Sequence, residues 1–322
     1  MRLFLAPMEG VVDHHVRAML SAVGGIDVCV TEFVRVSCHQ RLPERVFKRL
    51  CPELDSASRT PTGTEVRLQL LGGHPGSLAF NARKAAALGA AAIDLNFGCP
   101  AKTVNKNDGG ASLLREPERL HAIVAAVREA VPVEVPVTAK IRLGFEDRSL
   151  YMDNALAACE AGANELVVHA RSKTDGYKPP AYWDYIGRIR EHIDIPLIAN
   201  GEVWSWQDYL ECRRQSGCDD VMLGRGLLAQ PDLAREIKAR LAGDEYLPLS
   251  WPQVAALLFD YYLITKDLYP SRFLGNRVKQ WLAYMRLRYP EAGLMFEQIK
   301  RLTAASDLER AFSQHMAFAE TA

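Results

Sequence analysis

The chain has 322 residues, 48% of them hydrophobic and 24% charged, with 39 basic residues against 39 acidic ones. A chain of this size buries a full core and has room for one large domain and a smaller one, while balanced charge excludes whole-molecule attraction to polyanions and leaves only local patches for nucleic acid. No uninterrupted apolar run reaches the roughly 18 residues of a membrane-spanning helix, so no membrane association is expected.

The first residues, MRLFLAPMEG, are broken by Pro7 and Glu9 and read as a strand rather than a signal segment. Further strand-like runs follow at 28–33, 65–71, 92–96, 137–142, 165–170, 196–200 and 220–224. Several, such as ELVV and PLIA, are continuous apolar stretches, the mark of parallel strands covered on both faces. Between them lie helical patterns at 79–88, 116–130, 153–161, 183–193, 206–217 and 232–241. Repeated β/α units over residues 1–243 predict an α/β fold, a (β/α)8 TIM barrel. The rival, a doubly wound sheet, usually carries a glycine-rich turn after its first strand, and Pro7-Met8-Glu9-Gly10 stands there instead. After Gly243 a proline-containing linker leads into helical periodicity alone, so residues 244–322 are expected to form a smaller all-helical C-terminal domain.

Barrel enzymes keep their chemistry at the C-terminal ends of the strands. Here those ends read Pro7-Met8-Glu9, Glu32 with Arg35, Gln69, Asn96 with Cys99, Lys140 with Arg142, His169 with Arg171, Asn200-Gly201-Glu202 and Gly224-Arg225-Gly226. The last two suit a phosphate, because glycines let backbone N–H groups approach and Arg225 adds charge. The alternative is a pair of ordinary strand-to-helix turns. Lys140 stands inside an apolar strand, where lysine is rarely buried without a partner, and strand alternation puts it on the same side as Arg142. A lysine at the barrel mouth could stabilise negative charge; a solvated strand end is the plainer reading. Of the seven cysteines, Cys99 alone is pinned between a glycine and a proline at a strand mouth. No two cysteines have CxxC spacing, so no metal site and no redox pair is signalled, and reduced thiols in the cytoplasm are expected.

Together these residues resemble the tRNA-dihydrouridine synthases. The matching pieces, in the family's order, are Ala6-Pro7-Met8-Glu9-Gly10-Val11, Thr31-Glu32-Phe33, Gln69-Leu70, Asp94-Leu95-Asn96 with Gly98-Cys99-Pro100, Gly109-Gly110-Ala111, Lys140-Ile141-Arg142-Leu143-Gly144, Val168-His169-Ala170-Arg171, Ile198-Ala199-Asn200-Gly201-Glu202 and Met222-Leu223-Gly224-Arg225-Gly226. Within the family the chain looks most like the bacterial C type, associated with uridine 16 of the tRNA D loop. Phe33-Val34-Arg35-Val36, Cys51-Pro52-Glu53-Leu54 with Ala57 to Pro61, and Val278-Lys279-Gln280-Trp281-Leu282 carry that likeness. Two places depart from the pattern: His169-Ala170-Arg171-Ser172 where His-Gly-Arg-Thr is frequent, and the loop Asn105-Lys106-Asn107-Asp108-Gly109-Gly110, which has fewer glycines than is usual.

The resemblance implies FMN-dependent, NADPH-driven reduction of the C5–C6 double bond of a D-loop uridine, with Cys99 as proton donor to C5. An unperturbed thiol, with a pKa of about 8.5, is mostly protonated at neutral pH and suits that role. It implies that Pro7, Met8, Glu9, Gln69, Lys140, His169, Asn200, Gly201, Glu202, Gly224 and Arg225 hold FMN, that Asn96 and Tyr177 hold the extruded uridine, and that the loop after Cys99 closes on the RNA. For tRNA contact, Arg35, Arg277, Lys279, Tyr284 and Lys300 are the further candidates. The stretch 268–290 has five basic and five aromatic residues and no acidic one, and Arg277, Trp281, Tyr284 and Arg288 recur at helical spacing. Such a stripe suits phosphates and stacked bases; a solvated helix with a core aromatic or two is the alternative. A monomer is expected. Two rival functions use the same scaffold: an FMN barrel reductase of a small molecule, and a non-catalytic tRNA-binding protein.

Overall fold

The apolar runs pair, and every pairing is parallel. In the computed structural model, which describes residues 1–317, β1 (Leu3–Leu5), β2 (Val28–Val30), β3 (Val34–Arg35), β4 (Glu65–Leu71), β5 (Ile93–Asn96), β6 (Val137–Arg142), β7 (Glu165–His169), β8 (Leu197–Asn200) and β9 (Asp220–Leu223) form one sheet. Its order is β2-β1-β9-β8-β7-β6-β5-β4-β3, and a β2–β4 pairing closes it into the expected TIM barrel.

β3 is a continuation of β2 rather than a ninth stave. Val30 pairs with Arg67 and Val34 with Leu70, so four steps along β2–β3 face three along β4. The single strand expected over 28–33 is therefore broken by a bulge at Thr31 to Phe33. Thr31 stitches the gap: its N–H donates to Arg67 O at 3.0 Å and its Oγ1 accepts from Gln69 N at 3.0 Å. A bulge re-aims a side chain, and Glu32 consequently lines the barrel mouth. With no glycine or proline in VCVTEFVRV, nothing local announced it.

Outward-facing strand residues pack on the helices and make the main core. Inside the barrel, Phe4, Ala6, Val28, Val30, Val167, Ile198 and Met222 form a separate apolar layer. The barrel floor is ionic. Arg67 pairs with Glu65 at 2.8 Å and Glu165 at 2.5 Å, and Arg2 with Glu165 at 2.7 Å and Asp220 at 2.6 Å. Both guanidiniums lie over the Phe4 ring, at 5.0 and 5.3 Å. This plug leaves the opposite end as the open one.

Each expected helix forms, with ends shifted by a few residues; Pro75–Ala87 starts earlier than 79 because proline is well placed in a first turn. The helices His14–Val23, Glu44–Leu50 and Arg225–Ala229 were not anticipated. The first had a legible signal, since the Asp13 side chain caps Val16 N and Val16, Met19 and Leu20 are buried at helical spacing. Gly243, at φ +85°, ends helix Leu233–Ala242. Beyond it come helices Trp251–Thr265, Asn276–Met285, Pro290–Ile299 and Ala305–Ala317. Among the described residues no helix is long and apolar enough to cross a membrane.

Helix Asn276–Met285 packs on the barrel helix Arg225–Ala229, as helix Trp251–Thr265 does on His14–Val23. Asn276–Met285 buries Val278, Leu282 and Met285 on one stripe and Trp281 on the next. Trp281 stands edge-on to Tyr261 at 5.3 Å and donates from Nε1 to Leu228 O at 2.9 Å.

Candidate active site

A cavity of 610 Å³ opens at the C-terminal ends of the strands. All eleven residues expected to hold FMN line it, from Pro7, Met8 and Glu9 round to Gly224 and Arg225, together with Asn96, Cys99, Tyr177 and Tyr284. Barrel topology alone brings them together, because parallel strands point all their C-terminal ends the same way.

Cys99 owes its position to a hydrogen-bonded chain. Asn96 Oδ1 accepts from both Gly98 N and Cys99 N at 2.9 Å. Asn96 Nδ2 donates to Gln69 Oε1 at 2.7 Å, Gln69 Nε2 donates to Asp94 Oδ2 at 2.7 Å, and Thr138 Oγ1 donates to Asp94 Oδ1 at 2.6 Å. A carboxylate only accepts, so Asp94 sets which way both amides face. Asn96, expected to grip a base, thus has its amide engaged in shaping the cysteine turn. From the other side, Arg142 donates from Nε to Gly98 O at 2.8 Å and from Nη1 to Gly176 O at 3.0 Å. Gly110, at φ +62°, packs so closely that a Cβ there would stand 2.8 Å from Cys99 O. Burial pushes the Cys99 thiol up, only partly opposed by the backbone hydrogen bond from Ala101 and by Arg142 and Arg35, so the sulfur keeps its proton at neutral pH.

The loop after Cys99, expected to close on RNA, is tethered at both ends. Asn105 Nδ2 donates to Cys99 O at 3.1 Å, Asp108 pairs with Arg119, and Arg119 Nη2 also donates to Gly73 O at 2.7 Å. Asp108 adopts φ +59°, a conformation that favours glycine, so the departure from the family pattern carries strain in exchange for an ion pair.

On the opposite wall, Lys140 Nζ donates to Asn200 Oδ1 at 2.9 Å, and Asn200 Nδ2 to Met222 O at 2.8 Å. Burial, reinforced by Arg142 and opposed by Asp94, pulls the ammonium down to about 7. His169 is held well below its usual range, first by burial and then by four surrounding cations, so the ring is neutral. Its Nε2 is buried with no hydrogen-bond partner among the described residues. The Gly201 backbone lies against that ring, where a Cβ would come within 2.7 Å of Cδ2. Glu202 accepts from buried Arg171 at 2.5 Å and faces Arg225 at 3.4 Å. Glu9 and Glu32 are both pushed up by burial, Glu9 further by Glu32. Tyr177 stands half-exposed over the mouth, its ring 5.0 Å from the guanidiniums of both Arg142 and Arg225. Arg142 and Glu32 are the contributors that reading strand ends noted without assigning a role.

The set suits a flat, polar-edged ring carrying an anionic tail. An orphaned imidazole nitrogen and a readily ionised ammonium face the cavity, and Arg225 with the two glycines offers an anion cradle.

The expected basic stripe is placed differently. Trp281 is buried, and Arg277 turns inward to Asp13 at 2.7 Å, Gly10 O at 2.6 Å, Val11 O at 3.1 Å and Tyr261 Oη at 3.1 Å. Arg288 donates to Gln230 Oε1 at 3.2 Å and Lys279 to Leu302 O at 2.7 Å. Helical spacing gave the stripe, and the barrel covers its Arg277 and Trp281 end, while Tyr284 lines the cavity and Arg288 stays exposed. Arg35 is exposed at the rim with Nη2 3.5 Å from Thr103 O, and Lys300 is exposed beside Glu297.

A family model described as dihydrouridine synthase (Dus) matches residues 4–317. The chain is 52% identical to a tRNA-dihydrouridine(16) synthase of Aquipseudomonas alcaligenes, over 94% of this chain and 95% of the relative. It is 50% identical to one of Shewanella oneidensis over 98% of each, and 48% identical to one of Escherichia coli K12 over 97% of each. A solved structure of a variant of NCR from Zymomonas mobilis superposes with a TM-score of 0.52 at 14% identity, covering 80% of this chain and 90% of that one, a likeness of fold.

Proposed function

Because the chain belongs to the dihydrouridine synthase family, and within it to the bacterial C type, we propose that it reduces the C5–C6 double bond of uridine 16 in the tRNA D loop. The observation that carries this reading is Cys99, a protonated thiol locked at a strand mouth across a cavity from a buried, titratable lysine.

FMN bound in the cavity would supply the hydride to C6, with NADPH as the source of electrons. Gln69, Lys140, His169 and Asn200 would meet the ring, and Gly201, Gly224 and Arg225 the phosphate. Lys140 is the group able to take up a proton as negative charge builds beside it, since its pKa lies near neutrality. Cys99 Sγ gives its proton to C5. The thiolate left behind lies in the field of Arg142 and Arg35, which lowers its energy. A base stacked inside tRNA cannot reach this cavity, so the uridine is extruded at a cost of a few kcal/mol, roughly. Tyr177, braced by two guanidiniums, offers the stacking face that offsets part of that cost. Arg35, Tyr284, Lys279 and Lys300 would guide the tRNA around the mouth. The enzyme would act in the cytoplasm as a monomer, which keeps the mouth open to so large a substrate.

Mass-spectrometric mapping of dihydrouridine in tRNA from cells with and without the gene tests this. Loss at position 16 alone is expected, restored by the wild-type chain and not by Cys99→Ala. Loss at another D-loop position refutes the site assignment, and an unchanged map in cells with no redundant synthase refutes the activity.

A further inference from the structure

Away from the cavity, Cys38, His39 and His74 bring one thiol and two imidazoles together, with potential ligand atoms all within 4.8 Å of one another. Among the described residues no other such group converges. We propose that these three side chains form a zinc site on the barrel rim, with an exchangeable oxygen or anion in the fourth position.

The donor chemistry selects the metal. A thiolate with two imidazoles is a borderline-soft set that suits Zn²⁺ and rejects Mg²⁺ and Ca²⁺, which need oxygen ligands. Three protein ligands with one open position is an established zinc arrangement.

The site is held together without metal. The loop of residues 38–42 is stapled to helix Pro75–Ala87 by His39 N donating to Ser77 Oγ at 2.8 Å, Leu42 N to Asn81 Oδ1 at 3.0 Å, Asn81 Nδ2 to Gln40 O at 2.8 Å and Lys84 Nζ to Leu42 O at 2.8 Å. His39 is one of few non-glycine residues in the left-handed region, at φ +57°, and its ring centroid lies 5.2 Å from that of His74. Such a conformation persists only where its surroundings enforce it. Ser77 Oγ stands 3.0 Å from His74 Nδ1. Ser77 N donates to His74 Nδ1 at 3.1 Å as the helix cap, so in the metal-free protein that nitrogen accepts and the ring proton is on Nε2. Ligation through Nε2 moves the proton to Nδ1, where Ser77 Oγ accepts it in place of the cap. Arg41 and Arg83 line a hollow with His39 and His74 and are drawn onto the Phe80 ring. Their charge opposes a bare dication, is partly offset by the Cys38 thiolate, and favours an anionic fourth ligand such as chloride.

The test is titration of the full-length protein with Zn²⁺ against a chromophoric chelator, and with Co²⁺ for the thiolate-to-metal absorption. Both are done in a Cys99→Ala background, so that the partly exposed thiol of the cavity does not contribute. One equivalent is expected to bind, with at least tenfold weaker binding and loss of the cobalt charge-transfer band in Cys38→Ser. His74→Ala should also weaken binding but removes a helix cap; Cys38→Ser and His39→Ala at exposed positions keep the test valid if that variant fails to fold. Absence of saturable binding, or binding unchanged in Cys38→Ser with His39→Ala, overturns the proposal.

Discussion

Replacing Lys140 by methionine should stabilise the flavin-free protein at neutral pH, and the gain should fade as pH rises. The gap between the ordinary ammonium value of 10.5 and about 7 in the fold measures what burial costs the charged form. It corresponds to roughly 4–5 kcal/mol when the unfolded lysine is fully protonated. Between these values the unfolded chain holds the extra proton, so wild-type stability rises with pH through this window and the penalty is fully present below it. At pH 7 the penalty is about 4 kcal/mol and at pH 9 about 2 kcal/mol. Methionine removes it but leaves Asn200 Oδ1 without its donor, a loss of about 1–3 kcal/mol. The variant should therefore lead wild type by about 1–3 kcal/mol at pH 7 and roughly match it at pH 9. Urea denaturation of both proteins at the two pH values measures this. The fall of about 2 kcal/mol in the variant's advantage is independent of the Asn200 contribution. An advantage that stays flat with pH, or a variant equally destabilised at both, refutes the assignment of Lys140 as a buried, neutralisable group. Turnover on tRNA should drop in the same variant, which is the usual exchange of stability for function at a strained site.

Asn96→Ala removes an acceptor from two backbone N–H groups and a donor from Gln69; thermal unfolding should show a loss of about 2–4 kcal/mol, and the rate of Cys99 alkylation should change as its turn loosens. Gly110→Ala forces a Cβ to within 2.8 Å of Cys99 O at φ +62°, so kcat should fall more than KM rises, with a stability loss of about 1–3 kcal/mol. Arg277→Ala takes the cation from Asp13, the donor from Val11 O and one of two donors from Gly10 O and should destabilise by about 3 kcal/mol. Because the residue clasps the 8–13 loop, flavin fluorescence should report faster cofactor release, and the salt dependence of tRNA binding should stay unchanged. A salt slope reduced by about one would place Arg277 on a phosphate instead.

Much of this protein was determined locally and so was legible in its sequence. Apolar runs alternating with helical periodicity imply a parallel barrel, and in a barrel every strand ends on the same face, so the strand-end residues, Arg35 and Arg171 apart, line the cavity from Pro7 to Arg225. Cys99 was legible for the same reason: the glycine and proline around it are local turn chemistry. Other features depend on partners distant along the chain. The bulge that turns Glu32 into the mouth exists because β4 fixes the register on both sides of it. The Asp94–Gln69–Asn96 chain crosses neighbouring strands. Helical periodicity identified the stripe of Arg277 and Trp281, but Asp13 and Leu228, on the barrel side, decide that it faces inward. Cys38 and His74 lie on loops after different strands, so no spacing rule could join them. Periodicity reports which residues share a face; only packing decides what that face meets.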